Sequence, residues 1–266
     1  MIDYISSKNK NNNPLIFIHG IGSDADSFKN QIKKLGKNYF SVAINIPGYG
    51  KSTSIKNPSI NKYSDIIYKF IVDNKFELPI LVGHSLGGMI VQKIVIAHPK
   101  KFKACILIGT TARFGSSDPN WQRNFINSRL KPFNEGKTME EVALISISNI
   151  VSKNTNKAKI NLAANNMKKI NVESYKSAIK SLINFNVSKN LYKIVIPTLL
   201  ISGDEDILAP PKTMKKMHDK IKNSEFLILK DCGHLINVEK SEELNKIILN
   251  FIERNYLLSV NKEYYE

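Results

Sequence analysis

Short apolar runs alternate with amphipathic stretches towards both ends of this 266-residue chain. The apolar runs predict strands at about 15–19, 40–45, 79–83, 104–109, 198–203 and 225–229. Apolar residues at helical spacing predict helices near 26–35, 60–74, 86–97, 211–221 and 241–254. Because strands that alternate with helices form mostly parallel sheets covered on both faces, the pattern predicts an α/β fold.

The alternation stops between Thr111 and Tyr192. In that stretch the periodicity predicts only helices, near 119–130, 138–151, 156–170 and 172–185. Thr138 and Glu141 have the spacing of a capping box, in which the two residues satisfy backbone amides at a helix start. The sequence therefore predicts an all-helical insertion between two strands of the sheet.

A G-x-S-x-G element, Gly83 to Gly87, lies between an apolar run that ends at Val82 and a helical stretch that begins at Leu86. A strand that turns sharply into a helix lifts the hydroxyl of Ser85 clear of the backbone, and the flanking glycines leave room for the strained turn. The pentapeptide alone is a weak signal. Its position between a strand and a helix favours a nucleophile elbow.

Three further motifs accompany this element, and the third of them has two parts. His19 to Gly22 follows the first strand-like run, and Pro47 to Ser52 follows the second. Later, Gly203 to Asp206 and Cys232 to His234 each follow an apolar run. Serine, acid and histidine therefore occur in that order along the chain.

Together these motifs resemble those of the α/β-hydrolase fold family, over about residues 14–110 and 192–255. The resemblance implies a mostly parallel central sheet flanked by helices, with an all-helical cap inserted after the sixth strand. It also implies that residues 1–110 and 192–266 form the core and that residues 111–191 form the cap.

Carried over residue by residue, the resemblance makes Ser85 the nucleophile, His234 the general base and then acid, and Asp206 the carboxylate that orients the imidazole. A serine hydroxyl is a poor nucleophile at neutral pH, so it needs a base and the base needs an orienting acid. Asp204 and Glu205 are competing candidates for the acid. The spacing from the preceding glycine favours Asp206.

The backbone amides of Ile21 and Leu86 are the predicted oxyanion hole, where negative charge on a substrate oxygen would be stabilised. We expect His84 to support the elbow and His19 to order the oxyanion loop. Neither is expected to transfer protons. A triad of this kind requires no metal and no cofactor.

Bulky apolar residues of the cap, and of the loops beside the acid and the histidine, are the predicted substrate pocket: Trp121, Phe125, Met139, Ile207 and Leu235. Large apolar residues on cap helices more often hold the cap together, so only some of them are expected to touch substrate. Three cap arginines, Arg113, Arg123 and Arg129, could meet a substrate carboxylate, although solvated arginines are more common.

A formal net charge of +16 is compatible with a nucleic-acid, membrane or acidic-protein partner. Lysine, asparagine and isoleucine are abundant throughout the chain, which favours a general compositional bias, and no basic-aromatic nucleic-acid module is evident. We predict no nucleic-acid or membrane partner, and an acidic acyl carrier protein is a candidate partner of the lysine-rich cap.

Residues 1–13 lack the apolar run of a secretory signal, and no run approaches the length of a membrane span. We therefore expect a cytoplasmic protein, either a monomer or a homodimer. Two cysteines, Cys105 and Cys232, are too few for a disulfide framework and are expected to be reduced and buried.

The resemblance implies hydrolysis of a carboxylic ester, lactone or thioester of a small, largely apolar substrate, through an acyl-enzyme on Ser85. Similar capped family members include carboxylesterases, enol-lactonases and methyl-ester esterases that act on carrier-bound acyl chains. Two alternatives stay open. One is a carbon–carbon bond hydrolase or cofactor-free haloperoxidase with the same triad, and the other is a small-molecule receptor with vestigial activity.

Overall fold

The centre of this computed structural model is a sheet that has seven strands within the described residues, 1–9, 14–116 and 118–263. The strands are β1 Tyr4–Ser6, β2 Pro14–Ile18, β3 Phe40–Ile44, β4 Ile80–His84, β5 Ala104–Ile108, β6 Thr198–Gly203 and β7 Ser224–Leu229. Their order in space is β1-β3-β2-β4-β5-β6-β7, with β1 antiparallel and the other pairs parallel. The prediction of a mostly parallel sheet is confirmed.

Apart from the short helix Ile236–Glu239, which was not predicted, the helices occupy the predicted intervals, and the largest difference at an end is that the last helix continues to Glu263. They are α1 Lys29–Leu35, α2 Ile60–Asp73, α3 Leu86–Ala97, α4 Trp121–Asn134, α5 Met139–Ser148, α6 Lys157–Lys168, α7 Val172–Ser181, α8 Pro211–His218, α9 Ile236–Glu239 and α10 Ser241–Glu263. Short 3₁₀ turns cover Ala25–Phe28 and Leu191–Lys193. Side chains are described as far as Asn255.

Alternate residues of the central strands feed two different apolar clusters, as the two-residue period of a strand requires. Along β2, Leu15 and Phe17 pack with α1 and α10, whereas Ile16 and Ile18 pack with α2 and α3. Both faces of the sheet are therefore buried. This explains why the strands read as continuous apolar runs.

Strand β1 was not predicted by the sequence pattern. It has three residues, two of them exposed, and it pairs with β3 through Tyr4 opposite Ile44. The carboxylate of Asp3 accepts hydrogen bonds from the Asn45 side chain at 2.8 Å and from the Lys51 amide at 2.9 Å. Pairing and polar contacts hold this strand, and neither leaves a periodic apolar signal.

Helices α4–α7 lie between β5 and β6, and we call them the cap helices. Helix α4 contacts α7, and α5 contacts α6. The predicted capping box is present, because the Glu141 amide donates to Thr138 Oγ1 and the Thr138 amide donates to the Glu141 carboxylate at 2.7 Å.

Buried side chains of the cap helices belong to the same apolar cluster as α2 and α3. The cap helices follow the fifth strand of the described residues, whereas the resemblance placed the insertion after the sixth. In the described part of the chain, the strands before the cap helices are the antiparallel β1 and the parallel β2 to β5.

Both cysteines are free and buried, as predicted. Burial raises the pKa of the Cys105 thiol to about 12, although a hydrogen bond with Thr198 opposes the rise. In the described ranges, no helix has both the length and the apolar character needed to cross a membrane.

We predict that Phe17→Ala lowers the free energy of unfolding by about 3–5 kcal/mol. Phe17 is fully buried and its ring centroid lies 5.1 Å from that of Phe28, so the substitution leaves a cavity against the sheet. Urea unfolding would measure the loss. Val72→Ala, at an exposed site on α2, is the control and should change stability by less than about 0.5 kcal/mol. Equal effects would contradict the assignment of this core.

Candidate active site

Ser85 lies on the sharp turn between β4 and α3. Its backbone has φ 53° and ψ −115°, a left-handed conformation that is strained for a residue with a side chain. The Ser85 amide donates to the Ile108 carbonyl at 3.0 Å, and the Thr110 hydroxyl donates to the Ser85 carbonyl at 2.7 Å. The end of β5 therefore holds the strained turn in place.

Close backbone packing around this turn explains why small residues flank Ser85. A Cβ atom added to Gly83 would lie 2.5 Å from the Gly87 carbonyl oxygen. A Cβ atom added to Gly20 would lie 2.9 Å from Cβ of Ser85. The absence of a side chain at Gly20 thus brings the loop that contains Ile21 against the serine.

His234 follows β7 and is paired with Asp206, which follows β6. The distance from Nδ1 of His234 to Oδ2 of Asp206 is 2.9 Å, and both side chains are buried. Because a carboxylate only accepts hydrogen bonds, Nδ1 of the imidazole carries the proton. In the neutral ring, Nε2 is then the basic nitrogen.

Asp206 remains ionised in this buried position. Burial alone would raise the pKa of its carboxyl group, but the charge and hydrogen bond of His234 and the backbone amides of Ala209 and Leu208 outweigh burial and lower it. These two amides donate to Oδ1 at 2.9 and 2.8 Å. The second carboxylate oxygen is thereby free to face the imidazole.

The two competing acids point elsewhere. Asp204 accepts from the Cys232 amide at 3.2 Å and lies 3.6 Å from the Lys230 ammonium group. Glu205 accepts from the Ser152 hydroxyl and from the Lys153 amide, both at 3.1 Å. Within this acidic loop, therefore, the carboxylate that contacts His234 is that of Asp206.

Two other buried histidines support these loops. Nε2 of His84 lies 2.8 Å from the His234 carbonyl oxygen, and Nδ1 of His19 lies 2.9 Å from the Gly20 carbonyl oxygen. Burial lowers the pKa of His19 to about 4 and, together with the nearby His234, lowers that of His84 to about 3. Both rings are neutral at pH 7, so each nitrogen that faces a carbonyl is the donor.

A buried glutamate at the end of α9, Glu239, is a site residue that sequence reasoning missed. Its carboxylate accepts from the amides of Gly233 and Leu235, each at 2.9 Å, and these residues flank His234. It also accepts from the Ser152 amide at 2.8 Å and the Thr155 hydroxyl at 2.7 Å. The available sequence signal was a single acid directly after Leu235 to Val238, a stretch in which Asn237 is the one polar residue.

The loop between α5 and α6 also contacts the histidine loop directly. The His234 amide donates to the Ile150 carbonyl at 2.7 Å. A Cβ atom added to Gly233 would lie 2.6 Å from the backbone of Ile150, Val151 and Ser152. The histidine loop and this corner of the cap are therefore in backbone-to-backbone contact.

A cavity of about 740 Å³ lies between the sheet and the cap helices. Ser85 and His234 line it, together with Ile21 and Leu86, the residues whose amides were predicted as the oxyanion hole. Four of the five predicted pocket residues also line it: Trp121, Phe125, Ile207 and Leu235. Ile207 is 68% exposed, which places it at the rim.

Met139 is a correction to the predicted pocket. It is 4% exposed and packs in the apolar cluster of the cap, outside the set of residues that line the cavity. As the first residue of α5, it lies on the helix face that packs inward with Val142 and Ala143. Met167, Tyr175 and other cap residues line the cavity in its place.

A protein-family model and several known proteins are similar to this chain. A family model described as "alpha/beta hydrolase fold" matches residues 13–241. The chain is 29% identical to a pimeloyl-[acyl-carrier protein] methyl ester esterase of Wigglesworthia glossinidia brevipalpis, over 90% of this chain and 93% of that protein. It is 28% identical to the putative esterase/lipase 2 of Mycoplasma genitalium, over 92% and 90% of the two chains.

Among solved structures, the chain is similar to a thermophilic esterase from Thermogutta terrifontis. The TM-score is 0.85 at 20% sequence identity, and the match covers 96% of this chain and 93% of that one. At this identity the likeness concerns the fold.

We predict that Glu239→Gln loosens the histidine loop. The side-chain amide of the new glutamine would point an N–H donor at backbone N–H donors. The free energy of unfolding should therefore fall by about 1–3 kcal/mol. Hydrogen exchange at the amides of Gly233, Leu235 and Ser152 should become faster.

The matched control is Glu242→Gln, an exposed acid in the first turn of α10, which should leave both measurements nearly unchanged. Unaltered exchange in the Glu239 variant would show that its carboxylate does not hold the loop.

Proposed function

This chain belongs to the alpha/beta hydrolase fold family, and on that premise we propose that it hydrolyses carboxylic esters through an acyl-enzyme on Ser85. The observation that carries the proposal is the His234–Asp206 pair, which fixes the imidazole tautomer at the wall of the cavity that Ser85 also lines. Names of the curated relatives agree with an ester substrate.

In the first half of the reaction, Nε2 of His234 takes the hydroxyl proton of Ser85 as the oxygen attacks the ester carbonyl carbon. The ionised carboxylate of Asp206 stabilises the imidazolium that forms. His234 then gives this proton to the departing alcohol oxygen, and the acyl group remains on Ser85 as an ester. Water, deprotonated by the same imidazole, attacks this ester and releases the acid.

Negative charge on the carbonyl oxygen is stabilised by the backbone amides of Ile21 and Leu86 in this proposal. Support comes from their positions, since Leu86 begins α3 directly after the serine and the Gly20 loop packs against Ser85. Each such donor contributes about 3 kcal/mol to transition-state stabilisation. The strained turn at Ser85 holds the Leu86 amide in position before the substrate binds.

Small, largely apolar acyl or alcohol groups fit the cavity. Its volume, about 740 Å³, is in the range of small-molecule sites, and aromatic and aliphatic side chains form much of its wall. Trp121 stacks on Phe125 with ring centroids 5.2 Å apart, and the Phe114 ring meets both edge-on. We assign the substrate chain to this aromatic cluster of Phe114, Trp121 and Phe125.

An ester carried on an acyl carrier protein is the second candidate substrate. It is favoured by the name of the Wigglesworthia relative and by exposed lysines on the cap helices and the loops joining them, among them Lys131 and Lys137. Charge reversal at these two lysines should weaken turnover of a carrier-linked ester and spare a short free ester. If the charge-reversed variant hydrolyses the carrier-linked ester as fast as the wild type does, these lysines do not bind a carrier protein and the free ester is the substrate class.

The first test is steady-state hydrolysis of p-nitrophenyl esters from acetate to decanoate. Ser85→Ala should reduce kcat by about 10⁴-fold or more, since the acyl-enzyme cannot form. A fluorophosphonate should label Ser85 in the native protein. Ser54→Ala, at an exposed serine, is the control. Turnover that survives Ser85→Ala would refute the proposed nucleophile.

A second prediction concerns the acid. Asp206→Asn should lower kcat by about 10⁴-fold, because the amide favours the wrong imidazole tautomer. Asp204→Asn keeps the His234 contact and should have a much smaller effect on the same esters. Similar losses in the two variants would contradict the assignment of Asp206 as the orienting carboxylate.

A further inference from the structure

The wall of the cavity has two positive charges and, within the described residues, no negative one. Arg113 and Arg129 line the cavity, and its other described lining residues include no Asp, Glu or Lys. In the described part of the chain, no carboxylate forms an ion pair with either guanidinium group, whereas Arg254 on the surface pairs with Glu225 at 2.6 Å. An uncompensated cationic wall favours an anionic ligand group.

Arg129 is held in a defined position on α4. It is half-buried, and its guanidinium carbon lies 5.4 Å from the centroid of the Phe125 ring. A guanidinium over an aromatic face keeps its N–H edges available for a planar oxyanion. Its charge also reaches the buried cavity residue Tyr175, because it opposes the rise that burial causes in the pKa of that phenol.

Arg113 precedes Phe114 in the chain and is exposed at the edge of the cavity that it lines. Its guanidinium group donates to the Ser116 carbonyl at 3.1 Å, and its further donors have no hydrogen-bond partner among the described residues. The ring of Phe114 lies 5.3 Å from that of Phe125. Both guanidinium-bearing residues therefore line the same cavity as the aromatic cluster.

We propose that the substrate carries a second functional group, a carboxylate or a phosphate, and that Arg129 and Arg113 bind it while the intervening chain lies on the aromatic cluster. This inference rests on the proposed ester hydrolysis for the identity of the reacting group. The anion site itself does not require turnover. Bidentate hydrogen bonds from arginine suit either oxyanion.

The substrate test compares a neutral and an anionic ester of equal length. In the first pair the acyl chain ends in a neutral ester (dimethyl adipate) or in a carboxylate (monomethyl adipate). In the second pair the alcohol chain ends in a neutral ester (the acetyl ester of methyl 6-hydroxyhexanoate) or in a carboxylate (the acetyl ester of 6-hydroxyhexanoate). We expect a kcat/KM at least about tenfold higher for the anionic member of one pair. The preference should shrink as ionic strength rises. In the pair that shows the preference, replacing the carboxylate by a phosphate then shows which of the two oxyanions binds better.

Variants identify the groups that recognise the anion. Arg129→Gln and Arg113→Gln should remove most of the preference, because each should raise KM for the anionic ester much more than KM for the neutral ester. Arg123→Gln is the matched control, because this arginine is exposed on the same helix and is outside the cavity lining. A preference that persists in the Arg113 and Arg129 double variant would overturn the proposal.

Binding of adipate, followed by thermal shift and by calorimetry, separates the two proposals. Wild-type protein should bind adipate more tightly than 1,6-hexanediol, and Arg129→Gln should lose about tenfold in affinity. If no ester is hydrolysed but adipate binding depends on Arg129, ester hydrolysis fails and the anion site stands. If neutral and anionic esters are hydrolysed equally well through Ser85 and adipate does not bind, the proposed anion site is wrong and the proposed ester hydrolysis stands.

Discussion

A single buried carboxylate, that of Glu239, connects the parts of this site. Four donors converge on it: two backbone amides that flank His234, one cap amide and one cap hydroxyl. Hydrogen bonds to a charged acceptor are the strong ones, and in a buried position they have no water to replace them. The histidine loop, the end of α9 and the corner between α5 and α6 consequently share one anchor.

Much of the architecture could be predicted from the sequence, because the buried strands appear as apolar runs and the helices have clear periods. The serine, acid and histidine could be placed because each follows a strand, and parallel strands bring such loops to one edge of the sheet. Strand β1 could not be predicted. Its stability comes from pairing with β3 and from the contacts of Asp3, which are distant in sequence.

The limits of prediction in the site itself have a similar cause. Met139 and Trp121 are both large apolar residues near the start of a cap helix, but the rotation of each helix decides which one faces the cavity. Trp121 lines it, and Met139 packs inside the cap. Glu239 was missed because its partners lie on two other loops. Such a role depends on three-dimensional convergence and leaves no periodic pattern.

The contact between the His234 amide and the Ile150 carbonyl has a consequence for how such proteins diversify. A cap attached only by two linkers could be exchanged as an independent module. Here the cap contributes a carbonyl acceptor to the histidine loop and two donors to Glu239. A chimera with a foreign cap would have to reproduce these three groups, or it would leave a buried charge and a backbone amide unpaired beside the imidazole.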